Sequence, residues 1–251
     1  MTNSYENKTV IITGSSRGIG AATAEYFAKK NFNVVINYLT GEQEANTLKE
    51  KLINEYGIKA ITIKADVSKE EDCLKILEET KANFNTIDVL VNNAGIAIDT
   101  TLEDKTVENF RKILDVNLIG VFLMCKHIGT YMKDVQGFGS IVNISSTNGI
   151  DSFYSYSLDY DASKAGVISL NHNFASLYAP TVRVNCIAPG IVMTDMISEY
   201  TMDELNDITN EIPLGRIGST SDVADLALFL ASDSANYITG QVFSPNGGWV
   251  V

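Results

Sequence analysis

At 251 residues, with 45% hydrophobic and 20% charged side chains, the chain has the composition of a single globular domain with a sizeable core. Its formal charge of −12, with no basic cluster, speaks against a nucleic-acid-binding surface and against strongly acidic carriers as substrates. Four prolines leave little room for a disordered linker, and His127 and His172 are too few and too far apart for a metal centre, so no metal is expected. Cys73, Cys125 and Cys186 stand in unrelated apolar runs and read as buried free thiols of a reducing compartment. Met1-Thr2-Asn3-Ser4 does not resemble a secretion signal, and no apolar run approaches the ~20 residues of a membrane helix. A cytoplasmic protein without a membrane partner is expected.

The β-branched run Thr9-Val10-Ile11-Ile12-Thr13 predicts a buried strand. It leads into Gly14-Ser15-Ser16-Arg17-Gly18-Ile19-Gly20 and then a helical pattern of small and apolar residues. Strand, glycine-rich turn and helix together form the context in which backbone N–H groups at a helix N-terminus face a pyrophosphate. Gly14 permits the tight turn and Gly20 close helix packing; a purely structural turn is the alternative. The second strand, Asn33 to Asn37, is followed by Tyr38-Leu39-Thr40 and carries no acid to bind the adenosine ribose. Arg17 is placed to reach that ribose, so NADP is the expected cofactor; NAD stays open because Glu42 and Glu44 lie nearby.

A helix from Glu42 to Glu55 leads to a third strand, Ala60 to Lys64, ending at Ala65-Asp66-Val67. Asp66 either accepts from an adenine amino group or caps the helix that begins near Ser68. After another helix the strand Asp88 to Val91 ends in Asn92-Asn93-Ala94-Gly95. Turn signals recurring at the same strand ends predict a parallel sheet with a ligand crevice along that edge. Asn117, polar within an apolar helix, is either a satisfied core amide or a link in a proton path. The run from Ser140 ends at Ser146, whose hydroxyl can hold a substrate oxygen. In Tyr160-Asp161-Ala162-Ser163-Lys164 a four-residue helical step sets an ammonium beside a phenol, favouring phenolate and proton exchange nearer neutral pH. A solvated helix face is the alternative for this pair.

In order and spacing these motifs resemble the short-chain dehydrogenases/reductases. The likeness runs from Thr9 almost to the C-terminus through Thr13-Gly14-x-x-x-Gly18-Ile19-Gly20, Asp66, Asn92-Asn93-Ala94-Gly95, Asn117, Ser146 and Tyr160-x-x-x-Lys164. It continues through Val184-Asn185-x-x-x-Pro189-Gly190, Thr194 and Ile238-Thr239-Gly240-Gln241. Ile212-Pro213-Leu214-Gly215-Arg216-Ile217-Gly218 points to the 3-oxoacyl-carrier-protein reductase-like branch. The resemblance implies a single Rossmann-type α/β domain over residues 1–251, a doubly wound parallel sheet with helices on both faces. It implies a catalytic tetrad in which Ser146 orients the carbonyl, Tyr160 donates the proton, Lys164 lowers the phenol pKa and binds the nicotinamide ribose, and Asn117 holds a relay water.

It also implies a cofactor site made by Gly14, Ser15, Ser16, Arg17, Ile19, Gly20, Asn37, Tyr38, Asp66, Val67, Asn93, Ala94, Gly95, Tyr160 and Lys164, with Pro189, Gly190, Val192 and Thr194 at the carboxamide. A substrate lid over 195–212 and a homotetramer are implied as well. The interval from Ser146 to Tyr160 is slightly longer than in the family and rich in aromatics, so Phe153, Tyr154 and Tyr156 are candidates to shape a pocket; a packed interface or surface loop is the alternative. The lid acids Glu199, Asp203, Glu204, Asp207 and Glu211 read as a solvated face, or as selectors of a polar or cationic substrate. The expected activity is NADP(H)-dependent reduction of a ketone or 3-oxoacyl-type carbonyl, or the reverse oxidation, on a small molecule, with a carrier-protein substrate disfavoured by charge. A non-catalytic dinucleotide-binding regulatory or scaffold protein is the alternative.

Overall fold

The computed structural model describes residues 7–152, 154–197 and 200–249; Phe153 and Glu199 lie outside them. Strand and helix alternate: β1 (Thr9–Ile12), α1 (Gly18–Ala28), β2 (Asn33–Tyr38), α2 (Glu42–Tyr56), β3 (Ala60–Lys64), α3 (Glu70–Asn83) and β4 (Val89–Asn92). The second half supplies α4 (Val107–Gln136), β5 (Gly139–Ile144), α5 (Leu158–Tyr178), β6 (Val182–Ile187), α6 (Met202–Glu211), α7 (Thr220–Ala231) and β7 (Val242–Phe243). All seven strands are parallel in the order β3-β2-β1-β4-β5-β6-β7. Strand order therefore reverses beside β1, and the crevice between the C-terminal ends of β1 and β4 is the switch point where such sheets bind ligands.

The strands are continuous Val/Ile runs because both faces are covered. Alternate residues sort into two cores. Ile11, Val35, Leu90, Ile141 and Val184 pack with α3, α4 and α5. Val10, Ile12, Val34, Ile36, Val89 and Val142 pack with α1, α2 and α7 on the other face. One register fixes both layers, since a one-residue slip would exchange them.

The helix α4 has the length and mean hydropathy of a membrane span, which a scan for unbroken apolar runs does not register. Its Ile113, Val121, Met124, Cys125, Ile128 and Met132 are buried against the sheet, as in a core helix. The backbone of α4 widens into π turns at Asp115–Ile119, Cys125–Gly129 and Met132–Gln136, and the first of these carries Asn117. The three cysteines are free and buried.

A short 3-10 turn, Thr147–Gly149, follows β5 and lies directly on α5. A Cβ at Gly149 would sit 2.5 Å from the Lys164 carbonyl carbon and 2.8 Å from Ala165 N, both backbone atoms that cannot rotate away. Gly149→Ala is therefore expected to separate the turn from α5 at a cost of about 1–3 kcal/mol. The corresponding fall in Tm is roughly 2–12 °C for a domain of this size, read by a thermal melt.

Candidate active site

The site is built at the C-terminal edge of β1, β4 and β5 and completed by α5. At its floor the glycine turn is held open by side chains from the neighbouring strand end. Thr13 Oγ1 accepts from Asn93 N and Ala94 N at 3.0 Å, and Asn93 Nδ2 donates to Thr13 O and Gly14 O at 3.0 Å. Gly14 has φ of +61° and a Cβ there would meet Ala94 Cα at 2.8 Å; a Cβ at Gly20 would meet Gly14 O at 2.6 Å. Both glycines are thus required by space, Gly14 by conformation as well. Ser15 is buried and bonds Ile12 O, Ser16 points across to Thr40 O, and Arg17 is exposed at the N-cap of α1. Ile19 packs partly against the α1 core.

Two of the expected ribose contacts are turned inward. Asn37 is buried, its Oδ1 accepting from Gly14 N and its Nδ2 donating to Ile63 O and Ala65 O, so the amide stitches the glycine turn to β2 and β3. Tyr38 is buried in the α1–α2 core. What the end of β2 presents outward is Leu39, half exposed. Asp66 Oδ1 accepts from Ser68 N and Ser68 Oγ in the turn ahead of α3, whose N-cap is Lys69 without a side-chain cap bond, and Val67 is buried. Leu39, Asp66, Ser68 and Val116 nevertheless line a cleft of about 390 Å³ beyond the strand ends, together with Arg111 and Asp115 of α4.

Across the switch point the four tetrad candidates come together. Lys164 is buried and donates from Nζ to Ile144 O at 3.0 Å. Its ammonium lies 5.4 Å from the Tyr160 ring centroid, as the four-residue helical step requires. Ser146 is close enough to act on the Tyr160 phenol, and its Oγ caps the 3-10 turn by accepting from Asn148 N. Asn117 Oδ1 accepts from Ile96 N, while Nδ2 donates to Ile96 O and Ser163 Oγ. A Cβ at Gly95 would be 3.4 Å from both Asn117 Oδ1 and Lys164 Nζ, so the glycine keeps the space between them clear. Behind β6, Pro189 O accepts from Thr147 N, Gly190 packs on Asn246, Val192 bridges to Gly218, and Thr194 faces Gly18.

Burial dominates the electrostatics. It pushes the Tyr160 phenol up to about 12, opposed by the Ser146 hydrogen bond and reinforced by the charges of Asp161 and Asp99. The expectation that Lys164 lowers this phenol is not met in the protein alone. The ammonium is spent on Ile144 O, and the same burial brings Lys164 down to about 8, weakening it as a cation.

Asp99 borders the site without having been legible as a motif: it reaches solvent, yet burial, Asp159 and Asp161 raise its carboxyl against the pull of Lys105. Tyr154 and Tyr156, which the aromatic run before α5 singles out in the sequence, are half exposed with rings 5.4 Å apart, and burial with neighbouring Tyr200 pushes the Tyr154 phenol up to about 12.

The sequence profile of the family described as "Enoyl-(Acyl carrier protein) reductase" matches residues 14–250. A "3beta-hydroxysteroid dehydrogenase 1" of Eggerthella lenta is 39% identical over 251 residues, covering 99% of this chain and 95% of that protein. A "3-oxoacyl-[acyl-carrier-protein] reductase FabG" of Aquifex aeolicus is 38% identical over 244 residues, covering 97% of each. The crystal structure of a 3-oxoacyl-[acyl-carrier protein] reductase from Brucella melitensis superposes with a TM-score of 0.91 at 30% identity, covering 99% of this chain and 94% of that one.

The depressed Lys164 predicts a pH signature. Between about 8 and 10.5 the unfolded chain holds the proton that the folded chain has lost, so this group makes stability rise with pH. Below pH 8 both states carry the charge and the cost of burying it is fully felt. Lys164→Met abolishes the dependence. Its stability relative to the parent is expected to fall by up to about 3 kcal/mol between those pH values, read from urea unfolding at pH 7 and pH 10.

Proposed function

This chain belongs to the short-chain dehydrogenase/reductase family, nicotinamide-dinucleotide-dependent oxidoreductases of CH–OH groups, and from that premise we propose that it reduces a ketone on a small molecule with NADPH. The observation that carries this reading is the Lys164 ammonium 5.4 Å from the Tyr160 ring, with Ser146 acting on the same phenol. A proton donor and a cation stand one turn apart on α5, and a hydroxyl to hold the receiving oxygen stands at the start of the 3-10 turn packed on it.

The residues suit a dinucleotide. The first turn of α1, from Gly18, points its backbone N–H groups out of the helix toward the crevice, the tight packing that Gly14 and Gly20 allow keeps the turn low beside it, and the cleft by Leu39, Asp66 and Val116 is a place for a planar base. Ser15, Ser16, Asn93, Ala94, Pro189, Gly190, Val192 and Thr194 frame the same crevice. The bound dinucleotide supplies the hydride. Ser146 then holds the carbonyl oxygen, and Tyr160 transfers its proton to that oxygen as negative charge develops there. Lys164 stabilises the phenolate left behind, and Asn117, fixed to Ile96 and Ser163, orders the path by which that proton is replaced. Orientation and proton transfer are the protein's share of the rate.

NADP is favoured by exposed Arg17 at the mouth of the turn and by a β2 end whose acid position is filled by inward-facing Asn37. One observation favours NAD instead: Glu44 Oε2 and Ser16 Oγ lie 3.3 Å and 3.0 Å from a Cβ built at Gly41, so a carboxylate stands beside the glycine turn, where it would repel a 2′-phosphate brought near. For the substrate, the printed names of the relatives supply two classes, 3-oxoacyl thioesters and 3-hydroxysteroids. The carboxylates of Asp99 and Asp161 beside Tyr160 oppose an acidic carrier protein. A cytoplasmic homotetramer, with the segment 195–212 as substrate lid, completes the reading.

The test is titration with NADPH and NADH, then turnover across ketones, β-ketoesters, acyl thioesters and 3-ketosteroids. Tyr160→Phe is expected to bind NADPH with unchanged Kd while kcat falls roughly 10²–10⁴-fold; turnover near the parental rate would remove Tyr160 as the proton donor, and a parent that binds the dinucleotide but turns over none of these substrates would favour the non-catalytic reading. Arg17→Ala is expected to weaken NADPH binding about tenfold and NADH binding little. The opposite preference would establish NAD.

A further inference from the structure

Lys105 lies in the loop between β4 and α4 and matches none of the motifs considered above. Its Nζ is buried, with the side chain 5% exposed, and it donates to three oxygens from three segments. These are Ile98 O at 2.9 Å in its own loop, Tyr156 O at 3.1 Å in the aromatic loop, and Asp159 Oδ1 at 2.9 Å in the first turn of α5. Asp159 is wholly buried, and the same Oδ1 accepts from Tyr160 N at 3.0 Å. Thr100 N adds a further bond to Tyr156 O at 3.3 Å. The loop is anchored at its other end by Ile96, whose N and O are both bonded to Asn117.

We infer that Lys105 and Asp159 form a buried ionic clasp that positions the Tyr160 phenol, making Lys105 a positioning residue for proton transfer. This rests on the reading of Tyr160 as proton donor. An ammonium among three oxygen acceptors fixes all three segments at once, because withdrawing it leaves a buried carboxylate without its cation and takes a donor from each of two carbonyls, of which Tyr156 O keeps only the longer bond from Thr100 N. The segments so fixed are those that frame Tyr160: the loop bearing Asp99, the loop bearing Tyr154 and Tyr156, and the helix turn bearing the tyrosine itself. The clasp is also electrostatic. The charged groups acting around Tyr160 are Asp99 from the loop, Asp161 and Lys164 from its own helix, and the Lys105–Asp159 pair, in which one charge cancels the other. Removing only the cation adds a negative charge near the phenol and raises its pKa; removing only the anion does the reverse.

The experiment measures kcat, NADPH Kd and the pH dependence of alcohol oxidation for the parent, Lys105→Met, Asp159→Asn and the double variant K105Q/D159N, with Tyr160→Phe alongside. Lys105→Met is expected to lower kcat roughly 10²-fold, the effect of a small misplacement of a reacting group, with NADPH Kd unchanged. Its tyrosine-dependent limb moves to higher pH and that of Asp159→Asn to lower pH, while the neutral pair, amide against amide, regains most of kcat and the parental limb. A part that merely holds the fold together would not move the two limbs in opposite directions. The inference is overturned if Lys105→Met keeps kcat within threefold, if kcat and NADPH affinity fall by the same factor, or if the limbs move together. Should Lys105→Met fail to fold, the limb of Asp159→Asn and the kcat of the double variant decide on the same criteria. Loss of turnover in the clasp variants with Tyr160→Phe still active would instead remove the premise that Tyr160 is the proton donor.

Discussion

The placement of one desolvated cation governs the rest of the site. The Lys164 ammonium is carried on α5 into the space between the ends of β4 and β5, and the acceptor it finds is a strand carbonyl, Ile144 O. A buried ammonium is tolerated only where something accepts its protons, so α5 must lie on β5 closely enough for that bond to form. Gly149, with no room for a Cβ against the backbone of Lys164, and Ser145, whose hydroxyl bonds Lys164 O at 2.8 Å, are the consequences in the adjoining turn. Gly95 is the consequence on the other side.

That constraint explains how a helix and a sheet made mostly of apolar residues hold four polar side chains in one geometry. Asn117 and Lys164 are each held beside Gly95 by bonds of their own, Asn117 to Ile96 and Ser163 and Lys164 to Ile144 O. The π turn at Asp115–Ile119 contributes by widening α4 locally where Asn117 sits, and such turns recur at functional positions. Ser146 is held by its place at the start of the 3-10 turn, so its distance from Tyr160 follows from the packing of that turn on α5.

The architecture was readable in the residues because it rests on local signals that all agree. Val/Ile runs gave the strands, glycine and asparagine turns marked one edge, and helical spacing brought Tyr160 and Lys164 onto one face; the strand ends differ from expectation by a residue or so, as at Ile12 and Tyr38. What could not be read depends on long-range contact. Asn37 and Tyr38 stand at the sequence position of ribose-binding groups, but their side chains are claimed by Gly14 and by the α1–α2 core. A pairing of Lys105 with Asp159, 54 residues apart, has no periodicity to announce it. The burial acting on the phenol is likewise not legible, because spacing reveals a nearby cation and says nothing of the desolvation that opposes it.

The residues proposed for proton transfer and those that would meet a substrate are drawn from different parts of the chain. Ser146, Tyr160, Lys164 and Asn117 sit at the turn after β5, on α5 and on α4, where two covered sheet faces allow little variation. The mouth is made by connections: the loop through Asp99, the tyrosines before α5 and the segment after Thr194. Loops tolerate change that packed elements do not, which is why relatives named for acyl thioesters and for steroids both align along nearly the whole chain. In this chain the mouth combines aromatic rings with carboxylates that already raise the phenol. An anionic substrate would add a further negative charge to that group of acids, whereas a neutral ketone would meet the aromatic rings at its body and, at its oxygen, the Ser146 and Tyr160 hydroxyls proposed to hold and protonate it.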